Sequence, residues 1–473
     1  MFLNRRTTTR SLLLASLALI MLAGLLVGCV PAAPAQSGEA APAEEGAAAA
    51  PAAGETIDIR FWNHWLAARV ELIDKMIADF EAANPDITVE NLGQPWERRE
   101  ENMFTALASN DPPEVVMATR SEILKLADDG LIVPITDYVD KLGLDLNVFY
   151  PGEINNMYWN GELYSMPMPT GGGITGIVLI NEDMFDAAGL DPVPPATWTE
   201  LEEDAKALTV LDDKGIVKIG ANVVGASSGG NAGAFFAWLY TNNGKIYSDD
   251  LKTVEFNSPE GVETLQWMVD FTNDINGGVQ NVYDFYVTGQ EANEAQPWYN
   301  DVEAITFPNV SIFFHIQTFK PEMNFKTGLR PYNADNPEAA SHGISGEAFG
   351  WGYVIPTGVA EEKREAAVKW IKKITYDEDG AGWFMMEQGR PSPIRAVNED
   401  PMYYDVNPEW DVVLQSLEND ISVPLFPEHA RVRDIVDQAV EAALFGDMTP
   451  EEALNDAAEQ AQAILDEYWS SKE

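Results

Sequence analysis

YWNGELYSMPMPTGGGITGIVLINEDMFDAAGLDPVPPATWTEL, residues 158–201, has the pattern of a chain passing from one lobe to another. Asn160-Gly161 is a turn pair between aromatic and apolar residues, which predicts a hairpin. An apolar run from Leu163 to Met168 follows, broken by Pro167. The run Pro169-Thr170-Gly171-Gly172-Gly173 then frees the backbone to bend, or to lie close to a ligand. Ile174 to Ile180 reads as a short buried strand. Asn181-Glu182-Asp183 opens a short helix that Gly189-Leu190 closes, and Thr197-Trp198-Thr199-Glu200 has the form of a capping box.

Around this stretch, composition sets the limits. A chain of 473 residues is too long for one ordinary core, so two domains are expected. Twenty-nine basic residues stand against 76 acidic ones, a formal net charge of −47. Such a surface repels nucleic acid, and no nucleic-acid partner is expected. Cys29 is the one cysteine, which excludes a disulfide framework and a thiolate metal cluster.

Residues 1–28 have the form of an export signal. Arg5, Arg6 and Arg10 form its basic region and Leu12 to Val27 its apolar core. The run ends Leu26-Val27-Gly28-Cys29, which resembles the lipobox of bacterial lipoproteins. That resemblance implies cleavage before Cys29 and lipidation of its thiol, with two or more acyl chains making a stable anchor on the outer face of the membrane. Arg5-Arg6 leaves twin-arginine export open beside the general route. Residues 29–55 are mostly Ala, Pro, Glu and Gly with no aromatic residue, and read as a disordered tether. Its root-mean-square span would be about 28 Å.

The folded part opens at Thr56 with an alternating strand to Trp62. Leu72, Ile73, Met76, Ile77 and Phe80 mark one face of a helix, stopped at Asn84-Pro85. Ile87-Thr88-Val89 is a second strand, Trp96 to Ala108 a second helix, Glu114 to Ala118 a third strand and Glu122 to Asp129 a third helix. This alternation predicts a parallel sheet wound on both faces. Further on, Gly229 to Asn243 is a glycine-led helix, Leu251 to Phe256 a strand, Ser258-Pro259 a helix start, and Ala304 to Asn309 a strand returning toward a cleft. Glu361 to Ile374 and the segment after Thr449-Pro450 are amphipathic helices.

The segments FWNHW, DFEAANPDITVE and DPPEVVMATRSEILKLADDGLIVPI, in that order, resemble the amino-terminal lobe of bacterial extracellular solute-binding proteins. The nearest type is the maltose-binding type, the sugar receptors of ABC importers. Residues 158–201 resemble the first inter-lobe crossing of that family, and EAFGWGYVIP, residues 347–356, the second. The resemblance implies an α/β, two-lobed periplasmic-binding-protein fold, each lobe a doubly wound, mainly parallel sheet, with hinge crossings between. The expected division is 56–168 plus 352–400 for one lobe and 169–351 plus 401–473 for the other. It also implies a monomeric receptor that hands its solute to the transmembrane subunits of an ABC permease.

Thirteen tryptophans and 15 tyrosines supply aromatic faces for sugar rings. Trp62, Trp65, Trp96, Trp238, Trp298, Trp351 and Tyr353 fall at expected strand ends or crossings. Any single tryptophan is more often a core residue; Trp65 and Trp351 stand out because their neighbours are small or polar. Arg120 follows the third strand, where related receptors hold ligand hydroxyls, or it is a surface arginine. Trp62, His64, Trp65 and Arg120 are the candidates from the first lobe. Thr170, Gly172, Trp238, Asn309 and Trp351 are the candidates from the crossings and second lobe. Arg98 and Arg99 beside Trp96 are either an acid-holding pair or a solvated helix face.

Four scattered histidines, His64, His315, His342 and His429, show no metal-binding spacing, and no metal is expected. No phosphate loop or nucleophile elbow occurs in the sequence, so no cofactor and no catalytic residue are expected. The expectation is a binding protein for a mono- or oligosaccharide. The alternatives are a receptor for a polyamine or phosphate ester, or an exported glycoside hydrolase, which needs two carboxylates at a set separation.

Overall fold

β1 (Ile57–Asn63) alternates as its sequence requires, burying Ile59, Phe61 and Asn63. In this computed structural model, residues 56–65, 68–95, 98–109, 111–168, 175–225, 230–287, 295–308, 311–345 and 350–472 are described. The signal 1–28, Cys29, the tether 29–55, Trp96, Thr170, Gly172 and Asn309 lie outside the described residues.

β2 (Ile87–Gly93) runs parallel to β1 along its whole length, and β3 (Val115–Thr119) pairs parallel on the other side. The helix Ala68–Ala83 joins β1 to β2 and buries Ile73, Met76, Ile77 and Phe80, the predicted face. Thr119 ends β3 and caps the helix Arg120–Asp128, with Glu122 closing a capping box. β4 (Tyr158–Trp159) and β5 (Glu162–Leu163) form the expected hairpin, with Asn160 and Gly161 at φ 49° and 83°.

β6 (Ile177–Asn181) is buried throughout and feeds the helix Glu182–Ala188, capped by Asn181 and closed by left-handed Gly189. β7 (Val210–Asp212) and β8 (Gly215–Ala221) follow, then β9 (Glu303–Thr306) and β10 (Phe325–Leu329). β11 (Ile344–Ser345) precedes β12 (Trp351–Val354), which returns to β3, and β13 (Ile421–Ser422) pairs with β11. The orders are β12-β3-β1-β2 in one sheet and β10-β6-β9-β8-β7 in the other.

The expectation of two mainly parallel sheets needs correction. The first sheet is parallel except at β12. In the second, only β8–β9 is parallel. β6 and β12 are the strands next to the crossings, so no βαβ connection fixes their direction, and each runs antiparallel to its neighbours. The two residues between β7 and β8 leave room only for a hairpin. Leu251 to Phe256 is also not a strand. One bridge, Tyr247 with Val254, is formed there, and Leu251 takes φ 57° in a turn held by Ser248 and Asp250.

Each sheet has its own apolar core. One gathers Phe61, Tyr353, Trp370 and Phe384, the other Phe185, Phe236, Trp238 and Phe256. Ile312 and Phe313, which follow β9, pack into the first core, so apolar contact ties the two together. The two crossings lie side by side: Pro167 bridges Gly352, and Met168 N–H donates to the Trp351 carbonyl at 2.8 Å.

Candidate ligand-binding cleft

β1, β2 and β3 finish at one edge of the first sheet, and β12 begins there, with Trp351 opposite Thr119. At one edge of the second sheet β6 begins, β8 and β9 finish, and β10 ends at Leu329-Arg330. Such carboxyl edges are where open α/β sheets take ligands.

Trp62 is half-buried at the end of β1, against the first core. His64 follows it, with Nδ1 3.0 Å from the Gln94 carbonyl; burial lowers its pKa. Trp65 is buried, its indole N–H donating to the Tyr353 hydroxyl at 3.0 Å. Its ring meets Trp351 and Phe384 edge-on, with centroids 6.3 and 5.2 Å away. Trp65 and Trp351, 286 residues apart in sequence, are thus neighbours at the edge of the first sheet. Trp298 is a buried member of the first core.

Arg120 starts its helix at the end of β3, but its side chain turns inward. It is 1% exposed and paired with Glu153, which excludes the surface alternative. Trp238 is a core tryptophan of the second lobe. Its indole N–H donates to the Val223 carbonyl, and its ring lies edge-on to Trp198, Trp267 and Phe307. Arg98 is exposed and pairs with Glu101, and Arg99 pairs with Glu122.

Several polar groups at this junction escaped the sequence reading. Arg330 lies over Trp238 and Phe307, 4.0 and 4.8 Å from the ring centroids. It is 5% exposed, donates to the Thr175 carbonyl at 3.1 Å, and makes no ion pair among the described residues. Burial lowers its pKa to about 9. Arg69, at the head of the helix after β1, donates to Gln388 Oε1 at 2.8 Å and to Ser311 Oγ at 3.2 Å. Arg390 donates to the same Ser311 oxygen at 2.6 Å. His315, one helical turn beyond Ser311, is buried, and burial with the two arginines lowers its pKa to about 4. No local motif marks these residues; only the fold brings them together. The cleft junction therefore offers aromatic faces, guanidinium donors and a hydroxyl, the equipment of a binding site for a polar ring compound.

A family model for bacterial extracellular solute-binding proteins matches residues 66–380, more than half of the chain. The chain belongs to that family. Among relatives of this solute-binding protein is the sn-glycerol-3-phosphate-binding periplasmic protein of Escherichia coli K12. It is 24% identical over 436 residues, covering 87% of this chain and 93% of that protein. A solved ABC substrate-binding protein from Listeria monocytogenes, in complex with cycloalternan, superposes with a TM-score of 0.71. It is 22% identical and covers 87% of this chain and 99% of that one. A solute-binding protein from Thermotoga lettingae, bound with alpha-D-tagatose, superposes with a TM-score of 0.69. It is 22% identical and covers 87% and 100% of the two chains. These likenesses establish the two-lobed fold. The family is extracellular, and its members here are binding proteins. Among the described residues, no helix is long and apolar enough to cross a membrane, and no group of three or more His, Cys, Asp or Glu is placed to hold a metal ion.

Proposed function

We propose that this protein captures a carbohydrate in the cleft between its lobes and delivers it to an ABC permease. One observation carries the reading: Trp65, Trp351 and Tyr353 meet at the carboxyl edge of the first sheet, and Arg69 and Arg390, which lie over the Trp65 ring, both reach Ser311, which follows β9 in the chain. Sugar rings take C–H contacts from aromatic faces and hydroxyl contacts from polar groups at the rim. Solute-binding neighbours bound to cycloalternan and tagatose support the same class of solute.

The proposed lobes are 56–168 plus 352–400 and 169–351 plus 401–473, closing by a hinge at the two crossings. Trp62, His64, Trp65, Trp351, Thr170, Gly172 and Asn309 are the proposed contacts, with Trp238 and Arg120 supporting from beneath. The monomer is proposed to be held by a lipidated Cys29 after cleavage of 1–28, with 29–55 as its tether, and to release its solute chemically unchanged. A phosphate ester is the second reading. It is favoured by the buried Arg330 guanidinium, which makes no ion pair among the described residues, and by the sn-glycerol-3-phosphate-binding relative.

Thermal melting of the full-length protein against saccharides, polyols, polyamines and phosphate esters tests the reading. A true ligand raises the melting temperature by mass action. A shift with a saccharide supports it. A shift with polyamines alone overturns the carbohydrate assignment, and conversion of a saccharide overturns the receptor.

A further inference from the structure

We propose that the cleft grips an anionic group of the captured solute, a carboxylate or a phosphoryl group, between Arg69 and Arg390 at the point where both reach Ser311. The proposal rests on the cleft being the binding site; it goes further in assigning the ligand a charge and that charge a place.

Arg69 Nη2 and Arg390 Nη2 stand 3.2 and 2.6 Å from Ser311 Oγ. Both guanidiniums also lie over the Trp65 ring, 5.8 and 5.4 Å from its centroid. Two positive groups thus converge on one neutral oxygen in a site where Arg390 is 3% and Ser311 8% exposed. The protein carries 76 acidic residues, yet among the described residues Arg69 pairs with none of them. Its acceptors are the Gln388 amide oxygen and the Ser311 hydroxyl.

A second observation points the same way. His315 is 8% exposed, and its Nδ1 has no hydrogen-bond partner among the described residues. It stands within the field of both arginines. A carboxylate or phosphoryl oxygen at Ser311 would accept from two guanidiniums at once. Charge-assisted bonds of this kind are roughly twice as strong as neutral ones.

The test pairs charged probes with neutral counterparts on the full-length protein: galacturonate with galactose, glucose 6-phosphate with glucose, and sn-glycerol 3-phosphate with glycerol, plus inorganic phosphate. Calorimetric titration should show a charged member binding about tenfold tighter or more, a preference that salt at roughly 0.5 M weakens. Arg69→Gln should abolish the preference. Ser311→Asp places a carboxylate between the arginines, so it should raise the unliganded melting temperature and remove binding of the charged probe. Galacturonate and the phosphate esters, as separate arms, distinguish which anion is meant. Neutral members binding as tightly as charged ones, or a preference that survives Arg69→Gln, would overturn the anion site and leave carbohydrate capture standing. Binding of glycerol phosphate or inorganic phosphate without any saccharide would keep the anion site and overturn carbohydrate capture. Failure of every probe overturns both.

Discussion

Arg120 and Glu153 form an ion pair from which water is excluded, with side chains 1% and 0% exposed. Gly350, at φ 102°, lies against the guanidinium, where an added Cβ would sit 2.6 Å from Arg120 Nε. The pair ties the helix after β3 to the segment Pro151–Ile154. Breaking such a pair leaves one buried charge uncompensated. Arg120→Met should therefore lower unfolding free energy by roughly 3–5 kcal/mol, read by chemical denaturation. Replacing both partners together, Arg120→Met with Glu153→Leu, should recover most of the loss.

Arg330 presents the opposite case. Its guanidinium is buried with no ion pair among the described residues, and lies over the faces of Trp238 and Phe307. Arg330→Met keeps the volume and removes the desolvated charge. It should stabilise the unliganded protein by on the order of 1–3 kcal/mol, measured by melting, while weakening any phosphate ester that binds.

Three buried groups make stability fall as pH rises from about 4 to 7, two carboxyls outweighing one imidazole. Burial pushes Glu303 from its ordinary 4.5 up to about 7, and Asp420 from 3.8 up to about 7. The folded chain therefore holds protons there that the unfolded chain has released. The stabilisation is complete below about pH 4 and is lost as pH rises through 7. His315 acts in the other direction, because its folded pKa of about 4 lies below the ordinary 6.5. It withdraws stability as pH falls from 6.5 to 4. Glu303→Gln should remove up to roughly 3 kcal/mol of that fall, and His315→Asn, which removes the opposing group, should steepen it between pH 4 and 6.5; denaturation across a pH series reads both.

Local signals were legible wherever local chemistry decides structure. Thr197 accepts from the Glu200 N–H, and Glu200 reaches back, as the spacing of those residues predicts. Asn160-Gly161 takes the left-handed backbone its composition permits. One local reading failed, at Leu251, whose turn is held by Ser248 and Asp250; the other failures were long-range. The direction of β6 depends on the crossing that precedes it, not on its own residues. The convergence of Arg69, Ser311 and Arg390 joins positions over 300 residues apart, each unremarked in its own neighbourhood. Trp65 and Trp351 were singled out by the small or polar residues around them, and they meet. Trp238, chosen for an aromatic cluster, is 1% exposed beneath Arg330.

The Thr197 cap offers a direct check on the local reading. Thr197→Ala should cost about 1 kcal/mol. The helix Trp198–Leu208 carries Trp198, stacked on Trp267 with centroids 4.1 Å apart, so near-ultraviolet circular dichroism should report the same change.

Titration of the full-length protein with a saccharide panel, followed by tryptophan fluorescence and by chromatographic recovery of the sugar, bears most directly on capture in the cleft. A saturable change with a saccharide, weakened at least about tenfold by Trp65→Ala and accompanied by recovery of the sugar intact, is the expected result. Binding that is indifferent to Trp65→Ala, or a sugar returned cleaved, would contradict it.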